Sequence, residues 1–176
     1  MDNSKIVKRT KKTLSPWVAI YEDEVKSNGR TEVYHSILVP DYVCVLAIDN
    51  EGYVPLVKQF RHAINEITLE LPAGLCENNI SPKEAALKEL LEETGYKSES
   101  EAKKLISLRP CTGRLSNKGW CFFLNNIEKQ KDWIPESNVE LVMTKSSNLK
   151  NLVNNGDIQN GMHIATILKA INEGLI

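Results

Sequence analysis

The chain has 176 residues, with 22 Lys+Arg against 23 Asp+Glu, a formal charge of −1, 41% apolar residues and 26% charged residues. That balance excludes disorder as the general state, and the lack of a basic excess argues against non-specific nucleic-acid binding as the main task. The longest apolar run, Tyr42–Ile48, falls far short of the roughly 18–20 residues of a membrane-spanning helix.

The first 14 residues are polar and basic and lack the apolar core of a secretory signal. A solvated tail over 1–14 is expected, followed by a single domain over 15–176. Strands are expected at Trp17–Val25 and Arg30–Val39, joined at Asn28-Gly29, whose two residues suit the positive φ of a tight hairpin turn. Tyr42–Asp49 is almost continuously apolar and suits a strand buried on both faces. Tyr53–Phe60 returns as a strand, and Ile67–Leu71 is a short one ended by Pro72. Ser81-Pro-Lys-Glu84 is a capping box with Pro at the first helical position, and Gly95 supplies a left-handed residue past a helix ending at Thr94. Further strands are expected at Leu105–Leu108, Trp120–Ile127 and Val139–Thr144, and a short helix at Ser147–Asn154. A last helix over Gln159–Asn172 carries a core stripe of Ile164, Ile167, Leu168 and Ile171. Strands first, then strands mixed with helices, indicate an α/β fold with a mixed sheet. Cys44, Cys76, Cys111 and Cys121 form no CxxC pair and are expected as reduced thiols of a cytoplasmic protein.

The 81–95 helix carries the chemistry. With Glu89 at 0°, Glu92 falls at about 300° and Glu93 at about 40° around the helix axis. Three carboxylates thus share one face, above Ala85 and Ala86, whose small side chains are expected to leave room for a hydrated divalent cation, with Leu87, Leu90 and Leu91 as the core stripe. Crowded carboxylates repel, and their hard oxygens suit Mg²⁺. A solvated acidic face is the alternative for an isolated Glu-Leu-Leu-Glu-Glu. Its setting, after a Pro-Ala-Gly turn and a capped start, favours the metal.

The stretch resembles the Nudix box, G-x5-E-x7-R-E-U-x-E-E-x-G-U, where U is bulky and apolar. Gly74, Glu89, Leu90, Glu92, Glu93, Gly95 and Tyr96 match at intact spacing, whereas Ile80 stands in place of Glu and Lys88 in place of Arg. Val57-Lys-Gln-Phe-Arg61 and Glu70-Leu-Pro-Ala-Gly74 look like the corresponding stretch of the ADP-ribose and ADP-sugar pyrophosphatase branch. The resemblance implies a Nudix-type α/β/α sandwich with a mixed central sheet and an N-terminal β-hairpin, assembled as a homodimer. It implies hydrolysis of a nucleoside diphosphate linked to a sugar, dependent on Mg²⁺ or on Mn²⁺ in its place. Metal ligands would be Glu89, Glu92, Glu93 and the carbonyl of Ala73. Arg61 would clamp the diphosphate, the alternative being a plain surface arginine; Glu70 would bind substrate or a metal-associated water, the alternative being a strand-end surface residue; and Trp17 would stack on the base, the alternative being core or dimer packing. Glu136 is the candidate for activating water. The alternative is a non-catalytic Nudix module that senses a nucleotide or binds a protein. His35, His62 and His163 lack ligand spacing and are expected as structural or surface residues, with His62 near enough to Arg61 to line the site.

Overall fold

The computed structural model describes residues 4–77 and 79–176. Two compact units are present: the chain through Asp41 together with Arg109–Lys118, and Tyr42–Leu108 together with Gly119–Ile176.

The first unit is an antiparallel sheet of β1 (Lys5–Thr13), β2 (Ala19–Ser27) and β3 (Arg30–Leu38), in that order. The hairpin forms where expected, with Asn28 at φ 48° and Gly29 at φ 78°. The tail expected over 1–14 is instead largely a strand, while Met1–Asn3 lie outside the described residues. Its basic side chains meet the acidic run of β2. Lys8 pairs with Glu24 at 3.0 Å, Lys12 pairs with Glu22 at 2.6 Å, and Arg9 grips Asp23 through two bonds of 2.7 Å. Exposed pairs are individually weak, so backbone pairing along the whole strand carries β1 and the charges fix its register. Segment 109–118 joins this unit through a parallel bridge between Ile37 and Leu115 and a hydrogen bond from the Arg114 guanidinium to the His35 carbonyl.

The second unit contains β4 (Tyr42–Ala47), β5 (Tyr53–Arg61), β6 (Glu66–Glu70), β7 (Ala73–Leu75), α1 (Pro82–Thr94), β8 (Tyr96–Lys97), β9 (Lys103–Leu108), β10 (Gly119–Leu124), β11 (Glu128–Lys129) and β12 (Val139–Lys145). A single 3₁₀ turn, Ser146–Asn148, then leads into α2 (Leu149–Asn154), and α3 (Gly161–Asn172) ends the unit. A four-stranded sheet runs β7-β4-β10-β9, with β4 and β10 parallel and the other pairs antiparallel. A second sheet, β12-β5-β6, is antiparallel. Strand β4 is buried on both faces, as its continuous apolar run requires. Val43, Val45 and Ala47 pack with Ala85, Ala86 and Leu90 of α1. Cys44 and Leu46 pack on the opposite face with Ile167 and Ala170 of α3 and with Val54 and Leu56 of β5. Helices thus flank a mixed sheet, the sandwich expected from the sequence.

Two helix faces differ from expectation. In α1, Ala85 and Ala86 do not open space for a hydrated ion; both are buried against the sheet and let the helix approach it closely. Leu91, expected in the core stripe, is exposed. In α3 the buried face is Met162, His163, Thr166, Ile167 and Ala170, and Leu168 is 38% exposed. Polar His163 and Thr166 take core positions because each finds a partner: Thr166 Oγ1 donates to the Met162 carbonyl at 2.7 Å, and His163 faces β6. Among the described residues, no helix is long and apolar enough to cross a membrane.

Candidate active site

The start and stop of α1 set the site. Ser81 Oγ accepts the Glu84 N–H at 3.2 Å, and the Glu84 carboxylate accepts the Ser81 N–H at 2.7 Å. Gly95, at φ 70°, returns its N–H to the Leu91 carbonyl. The helix is thereby fixed in length and phase, with Glu89, Glu92 and Glu93 in its last two turns.

Each carboxylate has a different setting. Glu93 is 5% exposed; it accepts the Ala73 N–H at 2.9 Å and a short hydrogen bond from the Gln59 amide. Glu89 lies against Gly74, where an added Cβ would overlap its carboxylate; Ala73 and Gly74, expected in a turn, instead open β7 and pair with Cys44 and Val43 of β4. Glu92 is exposed and stands 3.9 Å from Lys88 Nζ. Burial pushes Glu93 up to about 7, against the lowering pull of the Ala73 N–H and with the Glu89 charge adding to the rise. Burial likewise pushes Glu89 up to about 7, reinforced by the charges of Glu92 and Glu136. Both carboxyls are therefore poised to gain from a cation.

The linkage has a definite sign. In the unfolded chain these groups ionise near pH 4.5, whereas in the fold they hold their protons to about pH 7. The fold thus binds more protons than the unfolded chain across that window, and stability falls as pH rises through it. The melting temperature in EDTA should decline from about pH 5 to about pH 7.5, and Mg²⁺ should flatten the decline. A thermal-melt series at stepped pH checks this.

A second cluster lies on β5 and β6. Arg61 holds Glu70 through Nε at 2.8 Å and Nη2 at 2.6 Å, and Thr68 Oγ1 donates to Glu70 at 2.5 Å. Glu70 is 3% exposed, which overturns the alternative reading of it as a strand-end surface residue. Burial alone would raise its pKa, but the bonds from Arg61 and Thr68 outweigh burial and hold it below the usual carboxylate value. His163, from α3, is wholly buried with Nδ1 3.7 Å from Glu70 and 3.3 Å from the Leu71 N–H it accepts. Burial lowers His163 to about 4, so it is neutral at pH 7.

The two departures from the box also find their places. Lys88 pairs with Glu77 of the preceding loop at 2.5 Å, and Ile80 packs against the apolar cluster under α1. The Lys88–Glu77 pair thus ties the loop to the helix without an acidic residue at position 80. Replacing Ile80 by Glu should destabilise the fold by about 1 kcal/mol, since it removes apolar contact and Lys88 is already engaged. Lys88→Ala, which removes an exposed pair, should cost less than about 1 kcal/mol. Chemical denaturation of both variants checks the order.

The remaining expected residues are placed as follows. Glu136 is exposed in the loop before β12, and its charge is felt at Glu89. Trp17 belongs to the N-terminal unit, 58% exposed in a turn where Ser15 Oγ accepts its N–H. His62 is exposed and packs edge-on against Phe60. Among the described residues, no three His, Cys, Asp or Glu side chains converge closely enough to form a ready ligand set. The donor chemistry nevertheless fits a hard divalent cation, because the Glu93 carboxylate at Ala73 and the Glu89 carboxylate at Gly74 lie side by side where Gly74 leaves no side chain in the way. Gln59, Thr68, Glu77 and His163 were not singled out in the sequence as site residues. Gln59 did lie inside the quoted Val57–Arg61 stretch.

The NUDIX domain model matches residues 39–152. The chain belongs to the Nudix family. An ADP-ribose pyrophosphatase of Bacillus subtilis is 38% identical over 92 residues, which cover 52% of this chain and 48% of that protein. An ADP-sugar pyrophosphatase of Mus musculus is 50% identical over 58 residues, 32% of this chain and 27% of that protein. A methanol dehydrogenase activator of Bacillus methanolicus is 37% identical over 97 residues, 54% and 52% of the two chains. The matched segments span about half the length of the bacterial relatives. A solved ADP compounds hydrolase superposes with a TM-score of 0.84 over 98% of this chain and 94% of that one, at 18% identity, a likeness of fold. The Nudix box residues include those that build the acidic face of α1 and Gly74 of β7 beside it.

Proposed function

We propose that this Nudix protein is an enzyme that hydrolyses the pyrophosphate bond of a nucleoside diphosphate linked to a sugar, ADP-ribose or a related ADP-sugar. The products are a nucleoside monophosphate and a sugar phosphate. The observation that carries the reading is the arrangement of Glu89 and Glu93 at the start of β7, with Glu93 tied to the Ala73 N–H and Glu89 seated against Gly74. Glu89, Glu92, Glu93 and the Ala73 carbonyl would hold Mg²⁺, or Mn²⁺ in its place. The cation supplies neutralisation of diphosphate charge and activation of water.

The protein's own groups do the rest. Arg61 gives Nε and Nη2 to Glu70, which leaves Nη1 to meet a phosphate oxygen. Glu70 acts here as the partner that aims Arg61. Glu136, exposed on the loop before β12, accepts the proton of the attacking water. The names of the relatives support ADP-sugar chemistry. We further read the protein as cytoplasmic, consistent with four free cysteines, and as a homodimer. Light scattering should then return about twice the chain mass of 19.8 kDa; a fully active monomer would contradict it.

A second reading is a module that senses a nucleotide or binds a protein partner. The changes at Ile80 and Lys88 and the likeness to a methanol dehydrogenase activator favour it. A panel of ADP-ribose, ADP-glucose, GDP-mannose, NADH and diadenosine polyphosphates with Mg²⁺ separates the two. Release of a nucleoside monophosphate from one class supports the enzyme. Tight binding without turnover supports the sensor.

A further inference from the structure

The end of α1 is clasped by the loop that carries Glu136. The Trp133 indole lies over Gly95 so closely that a Cβ there would overlap the ring. Trp133 Nε1 donates to the Glu92 carbonyl at 3.0 Å. Lys129 Nζ stands 3.7 Å from the Trp133 ring centroid and 4.9 Å from that of Tyr96, and it donates to the Thr94 carbonyl at 2.5 Å. The Gln130 N–H donates to the Gly95 carbonyl at 2.8 Å, and β11 pairs with β8 just beyond the helix. Every one of these contacts ties segment 128–133 to the last turn of α1 or the residues that follow it. From Ile134 to Asn138 the chain is exposed, until Val139 pairs with Gln59. Glu136 sits midway along that span.

We propose that Trp133 is a positioning residue: by pinning the loop to the C-terminal end of α1, it holds Glu136 within reach of the acidic helix face. Without the indole, the next tie upstream is the Gln130 N–H on the Gly95 carbonyl, so the untethered span would grow from 134–138 to 131–138, with the Val139 N–H still donating to the Glu136 carbonyl at 3.3 Å, and the carboxylate would be diluted over a larger volume. The chain-entropy part of that dilution is about twofold to threefold, and misorientation adds to it. The same contact explains why position 95 needs glycine twice over. Its φ is left-handed, and the ring occupies the place of a side chain. Burial of Gly95 under Trp133 thus couples the end of the helix to the start of the exposed span.

This inference rests on the hydrolase reading, with Glu136 as the water-activating group. The test is a double-mutant cycle on ADP-ribose turnover with Mg²⁺. Trp133→Ala should lower kcat about fivefold and leave KM within about twofold, and Trp133→Phe should recover part of the loss. In a Glu136→Gln background, Trp133→Ala should have no further effect. Equal losses in both backgrounds, unchanged kcat in Trp133→Ala, or unchanged kcat in Glu136→Gln would each overturn the proposal. A nitroxide at position 136, through Glu136→Cys in a Cys111→Ser background, gives a readout apart from activity. Its spectrum should sharpen on Trp133→Ala, and an unchanged spectrum overturns the anchor. If the parent fails to turn over, the hydrolase reading has failed, and the nitroxide alone decides whether the anchor exists.

Discussion

Replacing Glu93 by Gln is expected to lower kcat at least about a hundredfold, roughly 2.7 kcal/mol of transition-state stabilisation, without loss of fold. The side chain keeps its length, and its amide oxygen still accepts the Ala73 N–H. The Gln59 amide can turn to present its oxygen to the new NH₂ group. What disappears is a buried charge that the fold already disfavours, together with its repulsion of Glu89. The variant should therefore melt at or above the parent in EDTA. Glu89→Gln should behave alike in kcat. Raising Mg²⁺ should restore part of the activity in a variant that has lost one ligand among several. An acidic face that merely met solvent would give unchanged turnover and no altered metal dependence. Steady-state rates across a Mg²⁺ titration, paired with melts in EDTA, separate the two cases.

Arg61→Met is expected to damage stability and catalysis together. It leaves Glu70 buried with Thr68 as its hydrogen-bonding neighbour and with neutral His163 beside it. Breaking a buried ion pair by removing one partner costs about 3–5 kcal/mol. Arg61 is 35% exposed, so the lower end or somewhat less, about 2–3 kcal/mol, is expected. The pH dependence follows from Glu70. Its pKa is held down in the parent fold, so its stabilising contribution is present above the unfolded value and is lost as pH falls through the folded one. The deficit of Arg61→Met should accordingly be largest near neutrality and shrink in acid. Arg61→Met with Glu70→Leu should recover most of the stability but none of the lost kcat/KM. Urea denaturation at two pH values, with substrate kinetics, checks both halves.

Local signals carried much of the fold. Asn28-Gly29, the Ser81–Glu84 box, Gly95 and the apolar run of β4 each act over a few residues, and each formed where expected. Features that depend on distant partners were hidden. The basic residues of β1 look like a tail until Glu22, Asp23 and Glu24 stand opposite them. His163 is one position from the apolar stripe of α3, and only the buried carboxylate of Glu70 makes a core place for it. Ala85 and Ala86 are small in either reading; whether small means open or close-packed depends on the sheet beneath. The acidic face of α1 was legible because box spacing and helix period agree. Its division into buried Glu93, seated Glu89 and exposed Glu92 depends on Ala73 and Gly74 of β7 and on Gln59.

The most direct measurement is release of AMP and ribose 5-phosphate from ADP-ribose by the parent chain, with Mg²⁺ and with EDTA, beside Glu93→Gln under the same conditions. Substantial product from the parent with Mg²⁺, loss of it in EDTA, and at least a hundredfold less from the variant is the expected result. Turnover of Glu93→Gln within about threefold of the parent, or parent turnover indifferent to EDTA, would contradict a metal-dependent site on the acidic face of α1.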